Sequence, residues 1–269
     1  MASKLIIEPE ELEQQLHDPA VVIVDLCKEK QYRKAHIPGA HFVNYADVIR
    51  IDKPVMGLLP YDEQFSRLLS SLGINADTHL VAYDDEGGGC ASRFIWTSHV
   101  FGHNNTSLLN GGLHSWANEG HLLTREIPEK NTTDYSVTNT GKYTADRAHI
   151  LQHLEDGRTC LLDARSLDEY TGKKKYANRG GHIPGAKRYE WTDAMDRFNN
   201  LRLLPADTIQ QQLDQLSITK DREVIVYCQT HHRSAFSYVM LRALGYEDVR
   251  GYPGSWSEWG NRDDTPVEQ

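Results

Sequence analysis

The chain repeats one ordered set of short motifs, and this repeat limits the folds that it can adopt. Residues 36–40 and 182–186 both read His-Ile-Pro-Gly-Ala, a turn in which proline fixes φ and glycine accepts unusual backbone angles. The two copies are offset by roughly 145 residues, which is the size of a domain rather than of a solenoid repeat. A chain of 269 residues is long enough for two such domains.

The same order of elements surrounds each turn. An apolar run ending in aspartate precedes it, a second apolar run follows it, and a segment with glycine and tryptophan closes the copy. The paired segments are 21–25 and 159–163, 80–83 and 224–227, and 111–116 and 254–259. Alternating strands and helices predict an α/β fold with two tandem domains, each a mainly parallel sheet with helices on both faces. We expect domains at 1–128 and 142–269, joined by a polar, turn-rich linker at 129–141.

Composition and charge exclude several classes of function. The net charge is −9 and the pI about 5.8, which argues against binding of nucleic acid. No apolar run approaches the length of a membrane span, and the first residues lack the apolar core of a signal peptide. Four cysteines, Cys27, Cys90, Cys160 and Cys228, show no spacing typical of metal ligands. We therefore expect a cytoplasmic protein with reduced thiols, no metal site and no membrane partner.

The second apolar run of the second copy ends at a cysteine. The segment 224–227 predicts a buried parallel strand, residues 235–244 predict a helix, and Cys228-Gln229-Thr230-His231-His232-Arg233 lies between them. A tight loop from strand to helix directs backbone N–H groups inward, so that it binds anions and lowers the pKa of a thiol. The alternative is a cysteine that merely ends a buried strand, but histidines and arginine are poor core material unless they are paired.

The first copy differs at this position. Asp84 stands where the second copy has Cys228, in an acidic, glycine-rich loop. A carboxylate repels an anionic substrate and does not accept sulfur as a thiolate does. We expect the first copy to be catalytically inactive.

These motifs resemble those of tandem-domain rhodaneses, the thiosulfate sulfurtransferases, and the Cys228 loop resembles that of a bacterial subgroup. The resemblance spans nearly the whole chain. It implies two related α/β domains, of which only the second is active, a persulfide on Cys228, and no metal or organic cofactor. Many members carry an Arg-Lys pair just after the cysteine, and mercaptopyruvate sulfurtransferases carry small neutral residues. This chain has Gln229 and Thr230 there, which leaves the sulfur donor open.

The candidate substrate-binding residues are those of the loop together with one arginine before the second turn. They are Gln229, Thr230, His231, His232, Arg233 and Arg179. We expect Arg233 to bind thiosulfate and stabilise the departing sulfite, unless it is a structural arginine that binds the loop carbonyls or Glu258. Arg179 resembles by position an arginine that other family members present to the substrate, and its alternative is a solvated basic loop. The alternative for each histidine is an imidazole that points into solvent.

The expected activity is transfer of the outer sulfur of thiosulfate, or of a similar small anionic donor, to a thiophilic acceptor. The acceptor is cyanide, a thiol or a sulfur-acceptor protein, and the expected state is a monomer. A mercaptopyruvate sulfurtransferase and a non-catalytic redox or partner-binding module are the alternatives. A phosphatase of the rhodanese type is disfavoured, because such enzymes place five residues between cysteine and arginine, whereas four separate Cys228 from Arg233.

Overall fold

The computed structural model describes residues 4–129 and 131–269. The strands are β1 (Ile6–Ile7), β2 (Val21–Asp25), β3 (His41–Phe42), β4 (Arg50–Asp52), β5 (Val55–Leu58), β6 (His79–Tyr83), β7 (Thr106–Leu109), β8 (Thr159–Asp163), β9 (Lys187–Arg188), β10 (Met195–Asp196), β11 (Arg202–Leu203), β12 (Glu223–Tyr227) and β13 (Val249–Gly251). The α-helices are α1 (Pro9–Glu13), α2 (Glu29–Lys34), α3 (Asp62–Ser71), α4 (Gly89–Val100), α5 (Gly112–Asn118), α6 (Arg147–His153), α7 (Leu167–Tyr170), α8 (Ala206–Gln215), α9 (Arg233–Ala243) and α10 (Ser255–Trp259). Short 3-10 helices cover Tyr45–Val48 and Trp191–Ala194.

The chain divides into two units, and each includes a short segment from the other half of the sequence. The first unit contains the described residues up to 49 together with 60–140 and 195–203, and the second contains 50–59, 141–194 and 204–269. The antiparallel hairpin β4–β5 thus belongs to the second unit, and the antiparallel hairpin β10–β11 belongs to the first. The contiguous ranges predicted from the repeat, 1–128 and 142–269, do not include this exchange of hairpins.

The first unit is built on a five-stranded parallel sheet in the order β1-β7-β6-β2-β3. Alternate residues of a strand point to opposite faces. Ile23 and Val81 therefore share one face, where they pack with Leu12 of α1 and Trp116 of α5. α4 contacts β6 and β7, and it supplies the buried Phe94.

The second unit is built on a four-stranded parallel sheet in the order β13-β12-β8-β9. Leu161 and Ile225 pack on one face with Trp256 and Trp259 of α10, both fully buried, while α9 packs against β12 and β13. The α/β fold class with two similar domains is therefore confirmed. None of the described helices is long and apolar enough to cross a membrane.

The two His-Ile-Pro-Gly-Ala turns have the same structural role in both units. The Nδ1 of His36 lies 2.8 Å from the carbonyl oxygen of Tyr32, and the two rings stack with centroids 3.9 Å apart. His182 repeats both contacts with Tyr170, at 2.9 Å and 3.6 Å. Each tyrosine hydroxyl donates to the carbonyl of the alanine that ends the motif. The motif therefore fixes the connection between two strands in each unit.

The predicted linker is irregular but anchored. In its described part, the main chain of Tyr135 and Val137 forms hydrogen bonds in both directions with the hydroxyls of Ser70 and Ser66 of α3, at 3.0–3.2 Å. Ser66 and Ser70 lie four residues apart, on one side of the helix. This segment therefore lies along the first unit.

Candidate active site

Cys228 directly follows β12, and the loop 228–232 leads into α9. The segment around α10 holds this loop through its main chain. The N–H of Cys228 donates to the Ser255 hydroxyl at 3.3 Å. The carbonyls of Cys228 and Gln229 accept from the N–H groups of Trp256 and Ser257, at 3.0 and 2.9 Å. The Gly-Ser-Trp-Ser segment that the sequence repeat singles out is thus the support of the cysteine loop.

The hairpin β4–β5 is a second support of the cysteine loop, and no sequence motif predicts it. Gly57 of β5 lies so close to the loop that a Cβ on it would be 2.0 Å from the carbonyl oxygen of Thr230. The N–H of Met56 donates to the Ser257 hydroxyl at 3.2 Å. Only glycine permits this approach, but no local pattern around residue 57 reveals which loop it contacts.

The Cys228 thiol is fully buried and yet favours ionisation. Burial raises its pKa, but the Arg233 guanidinium, the Ser234 hydroxyl and the N–H groups of Ser234 and Thr230 outweigh that effect, and the pKa lies below its usual value. Stabilisation of a thiolate by a nearby cation and by N–H donors is what a nucleophilic cysteine requires.

The other three cysteines behave in the opposite way. Burial raises the pKa of Cys27, Cys90 and Cys160, and carboxylates add to this effect at Cys27 and Cys90. All four thiols are free of disulfide bonds. Cys228 is thus distinguished from the rest by its surroundings rather than by its burial.

Arg233 forms a bidentate ion pair with Glu169 of α7. Its Nη1 and Nη2 donate to Oε2 and Oε1 at 2.7 and 2.8 Å. Burial raises the pKa of Glu169, but Arg233 and the cap residue Ser166 more than compensate and hold this pKa at about 2. The carboxylate that orients Arg233 is thus Glu169, not Glu258, which accepts a hydrogen bond from the Tyr252 hydroxyl at 2.8 Å.

Glu169 is not among the site residues that the sequence predicts. The only local signal was the Ser166-x-x-Glu169 capping box, which indicates the start of a helix. In the first copy, Gln31 precedes the equivalent tyrosine and Gly89 begins the equivalent helix. Both charged partners are therefore absent together from the copy without the cysteine.

The two histidines of the loop have different surroundings. His231 is fully buried, with φ at 54°, and its Nδ1 lies 2.8 Å from the Ser234 hydroxyl oxygen. It therefore supports the hydroxyl that hydrogen-bonds to the Cys228 sulfur. His232 is half-buried, and its ring lies 5.9 Å from that of Trp191, centroid to centroid. The solvent-facing alternative does not apply to His231.

Gln229 and Arg179 contact other segments of the second unit. The amide of Gln229 donates to the Tyr176 carbonyl at 3.2 Å. The guanidinium of Arg179 donates to the carbonyls of Thr265 and Trp259, at 2.7 and 2.9 Å, and to the Thr265 hydroxyl. The structure therefore directs the side chain of Arg179 toward the C-terminal segment rather than toward the Cys228 loop.

In the first unit, the carboxylate of Asp84 accepts hydrogen bonds from the N–H groups of its own loop. Its Oδ1 accepts from the N–H groups of Glu86 and Gly88, at 3.0 and 2.8 Å, and its Oδ2 accepts from Ala91 at 2.9 Å. Burial raises its pKa to about 6, despite these three donors. The loop N–H groups of this copy are thus satisfied by the chain itself.

Comparison with known proteins agrees with this description. The family model for the rhodanese-like domain matches residues 8–119 and 146–262. Thiosulfate sulfurtransferases of Azotobacter vinelandii and Pseudomonas aeruginosa are each 44% identical to the chain over 264 residues, covering 98% of it and 97% of the relative. The crystal structure of YnjE superposes with a TM-score of 0.89 at 23% identity, covering 98% of this chain and 68% of that one. The resemblance that the motifs indicate is confirmed, and the chain belongs to the rhodanese family, with two rhodanese-like domains in tandem.

Proposed function

We propose that the protein is a thiosulfate sulfurtransferase that carries sulfur as a persulfide on Cys228. The observation that carries the proposal is the surroundings of the Cys228 thiol: the Arg233 guanidinium, the Ser234 hydroxyl and the N–H groups of Ser234 and Thr230 lower its pKa, whereas the pKa of each other thiol is raised. The two 44%-identical relatives named thiosulfate sulfurtransferase support the choice of donor.

In the first step, the Cys228 thiolate attacks the outer sulfur of thiosulfate. The new Cys–S bond forms as the S–S bond of thiosulfate breaks, and the electron pair leaves with sulfite. Charge is conserved, because a thiolate and a dianion become a persulfide anion and a dianion. The N–H groups of Thr230 and Ser234 and the guanidinium of Arg233 stabilise the thiolate, and in the proposed complex they also bind the donor and the persulfide.

In the second step, a thiophile removes the outer sulfur and regenerates the thiolate. Cyanide yields thiocyanate. A thiolate acceptor takes the sulfur as its own persulfide, and the electrons of the Cys228 S–S bond return to the Cys228 sulfur. No external oxidant or reductant enters either step.

Within this proposal, residues 142–269 form the catalytic domain and residues 1–128 form an inactive one. Asp84 supports this division, since its carboxylate already accepts three loop N–H groups. The first copy also lacks the equivalents of Arg233 and Glu169. At these equivalent positions the first copy has Asp84, Gln31 and Gly89 in place of the cysteine, the glutamate and the arginine, and three N–H groups of its loop already donate to Asp84.

Gln229, Thr230 and His232 are proposed to line the donor site, with His231 acting through Ser234. Arg233 favours a dianionic donor such as thiosulfate over mercaptopyruvate, which carries a single carboxylate. None of the four cysteines forms a disulfide bond, which is consistent with a reducing compartment, and a cytoplasmic location is part of the proposal.

The test is mass spectrometry of the protein after incubation with thiosulfate. We expect one added sulfur atom on the peptide that contains Cys228, removed by cyanide with release of thiocyanate. Sulfur on another cysteine, or none on Cys228, would refute the proposal. Parallel loading with mercaptopyruvate identifies the preferred donor.

A further inference from the structure

The catalytic copy contains a basic surface loop that the first copy lacks. Three residues separate Tyr32 from His36, whereas eleven separate Tyr170 from His182, so the second copy is eight residues longer here. We call residues 171–181 the lysine loop. At its tip, Lys173, Lys174, Lys175 and Tyr176 are all exposed.

The base of the lysine loop is firmly held. Arg179 donates to Trp259 and Thr265, and its own carbonyl accepts from the indole N–H of Trp256 at 3.1 Å. The N–H of Asn178 donates to the Asn261 side chain at 2.9 Å. A loop fixed in this way presents its tip at a defined place, and this explains the contacts of Arg179.

The tip lies beside the cysteine loop. The carbonyl of Tyr176 accepts from the Gln229 amide, and the Lys174 ammonium lies 5.0 Å from the centroid of the Tyr176 ring. This ammonium is also close enough to interact electrostatically with Glu169 and Arg233. A cluster of positive charge therefore adjoins the site on a protein whose net charge is −9.

We propose that the lysine loop docks an acidic protein that presents the sulfur-accepting thiol. The inference rests on the proposed function, because it assigns the acceptor of the Cys228 persulfide. A small dianion needs only Arg233 and the N–H groups of the cysteine loop, whereas three exposed ammonium groups with a tyrosine match several carboxylates spread over a protein surface. The negative charge of the rest of the molecule disfavours a long polyanion such as RNA.

The test uses synthetic acceptor peptides of equal length, each with one central cysteine. One peptide has glutamates around the cysteine and the other has glutamines. Labelled versions with serine in place of cysteine report binding by fluorescence anisotropy, and the cysteine versions report transfer from protein that already carries the persulfide. The variant is Lys173→Glu/Lys174→Glu/Lys175→Glu. The control, Lys28→Glu/Lys30→Glu/Lys34→Glu, makes the same change of charge at exposed positions in and next to α2.

At low salt, we expect the lysine-loop variant to bind the glutamate peptide about tenfold more weakly than wild type and to transfer sulfur to it about tenfold more slowly. The reason is that electrostatic steering is worth about 10-fold or more. The difference shrinks at high salt. Binding of the glutamine peptide to the lysine-loop variant, and binding of either peptide to the control variant, should change much less. In the lysine-loop variant, the rate of persulfide loading by thiosulfate should fall less than the rate of sulfur transfer to the glutamate peptide.

Three results would overturn the docking proposal: equal losses in the control variant, equal losses with both peptides, or tighter loop-dependent binding of an RNA oligonucleotide than of the glutamate peptide. Failure of wild-type Cys228 to take up sulfur refutes the proposed function instead. The anisotropy experiment still tests docking in that case, since it needs no persulfide.

Discussion

Replacing Arg233 and replacing Glu169 are expected to shift the pKa of the Cys228 thiol in opposite directions. Arg233 supplies the positive charge that favours the thiolate, and Glu169 partly balances that charge. Arg233→Gln should therefore raise the thiol pKa by about 1–3 units. Glu169→Gln should lower it by a smaller amount, because Glu169 acts on the thiol mainly by balancing the guanidinium.

The same pair stabilises the fold. The pKa of Glu169 falls from an ordinary 4.5 to about 2, and a shift of about 2.5 units corresponds to about 3 kcal/mol in favour of the folded state. Because the folded pKa is depressed, this contribution is fully present above pH 4.5 and is lost as the pH falls toward 2. The difference in free energy of unfolding between wild type and Glu169→Gln should thus be largest near neutral pH.

The assay is the pH dependence of Cys228 alkylation by iodoacetamide, with the modified peptide identified by mass spectrometry. Cys228 should react first, since the pKa of each other thiol is raised. Lys28→Gln, at an exposed position, controls for the loss of one positive charge. Shifts in the same direction for Arg233→Gln and Glu169→Gln would refute the reasoning, because they would show that loop geometry rather than charge sets the thiol pKa.

Cys228→Ser should abolish persulfide formation and leave the melting temperature nearly unchanged, and residual turnover would contradict the assignment of the nucleophile. Asp84 has a pKa raised from 3.8 to about 6. Its contribution to stability is therefore fully present below pH 3.8, and the free energy of unfolding falls by about 3 kcal/mol as the pH rises through 6. Urea unfolding at both ends of this pH range should show this loss of stability in wild type but not in Asp84→Asn. The same pH dependence of stability in both proteins would refute the role of Asp84. Arg179→Ala should lower the melting temperature with little effect on the KM for thiosulfate, whereas a raised KM at unchanged stability would restore its predicted role in substrate binding.

The loops of the two copies show why sequence and structure contribute different information. The presence of Asp84 in place of Cys228 was enough to predict an inactive first copy. In the structure, this carboxylate accepts hydrogen bonds from three N–H groups of its own loop, which is a physical argument for that prediction. That arrangement depends on the path of the backbone between residues 84 and 91, and a residue name does not specify such a path.

The histidines and Arg179 show the limit of inference from residue type. A histidine next to a cysteine suggests a ligand contact, but His231 is buried against Ser234. An arginine before the second turn suggests an anion site, but Arg179 binds carbonyls of the C-terminal segment. Residue type fixes what a side chain can donate or accept, and packing selects the partner.

The sequence by itself determined the α/β fold and the duplication and led to the proposed nucleophile, because each depends on patterns that are local: an apolar run, a turn with proline and glycine, and a cysteine between strand and helix. Only the tertiary structure decided which groups surround that cysteine. Glu169 lies 64 residues before Arg233, and Gly57 reaches Thr230 from the other half of the sequence. Contacts of this kind are set by how the sheet, the helices and the hairpin pack, and that packing is a property of the whole chain rather than of any segment.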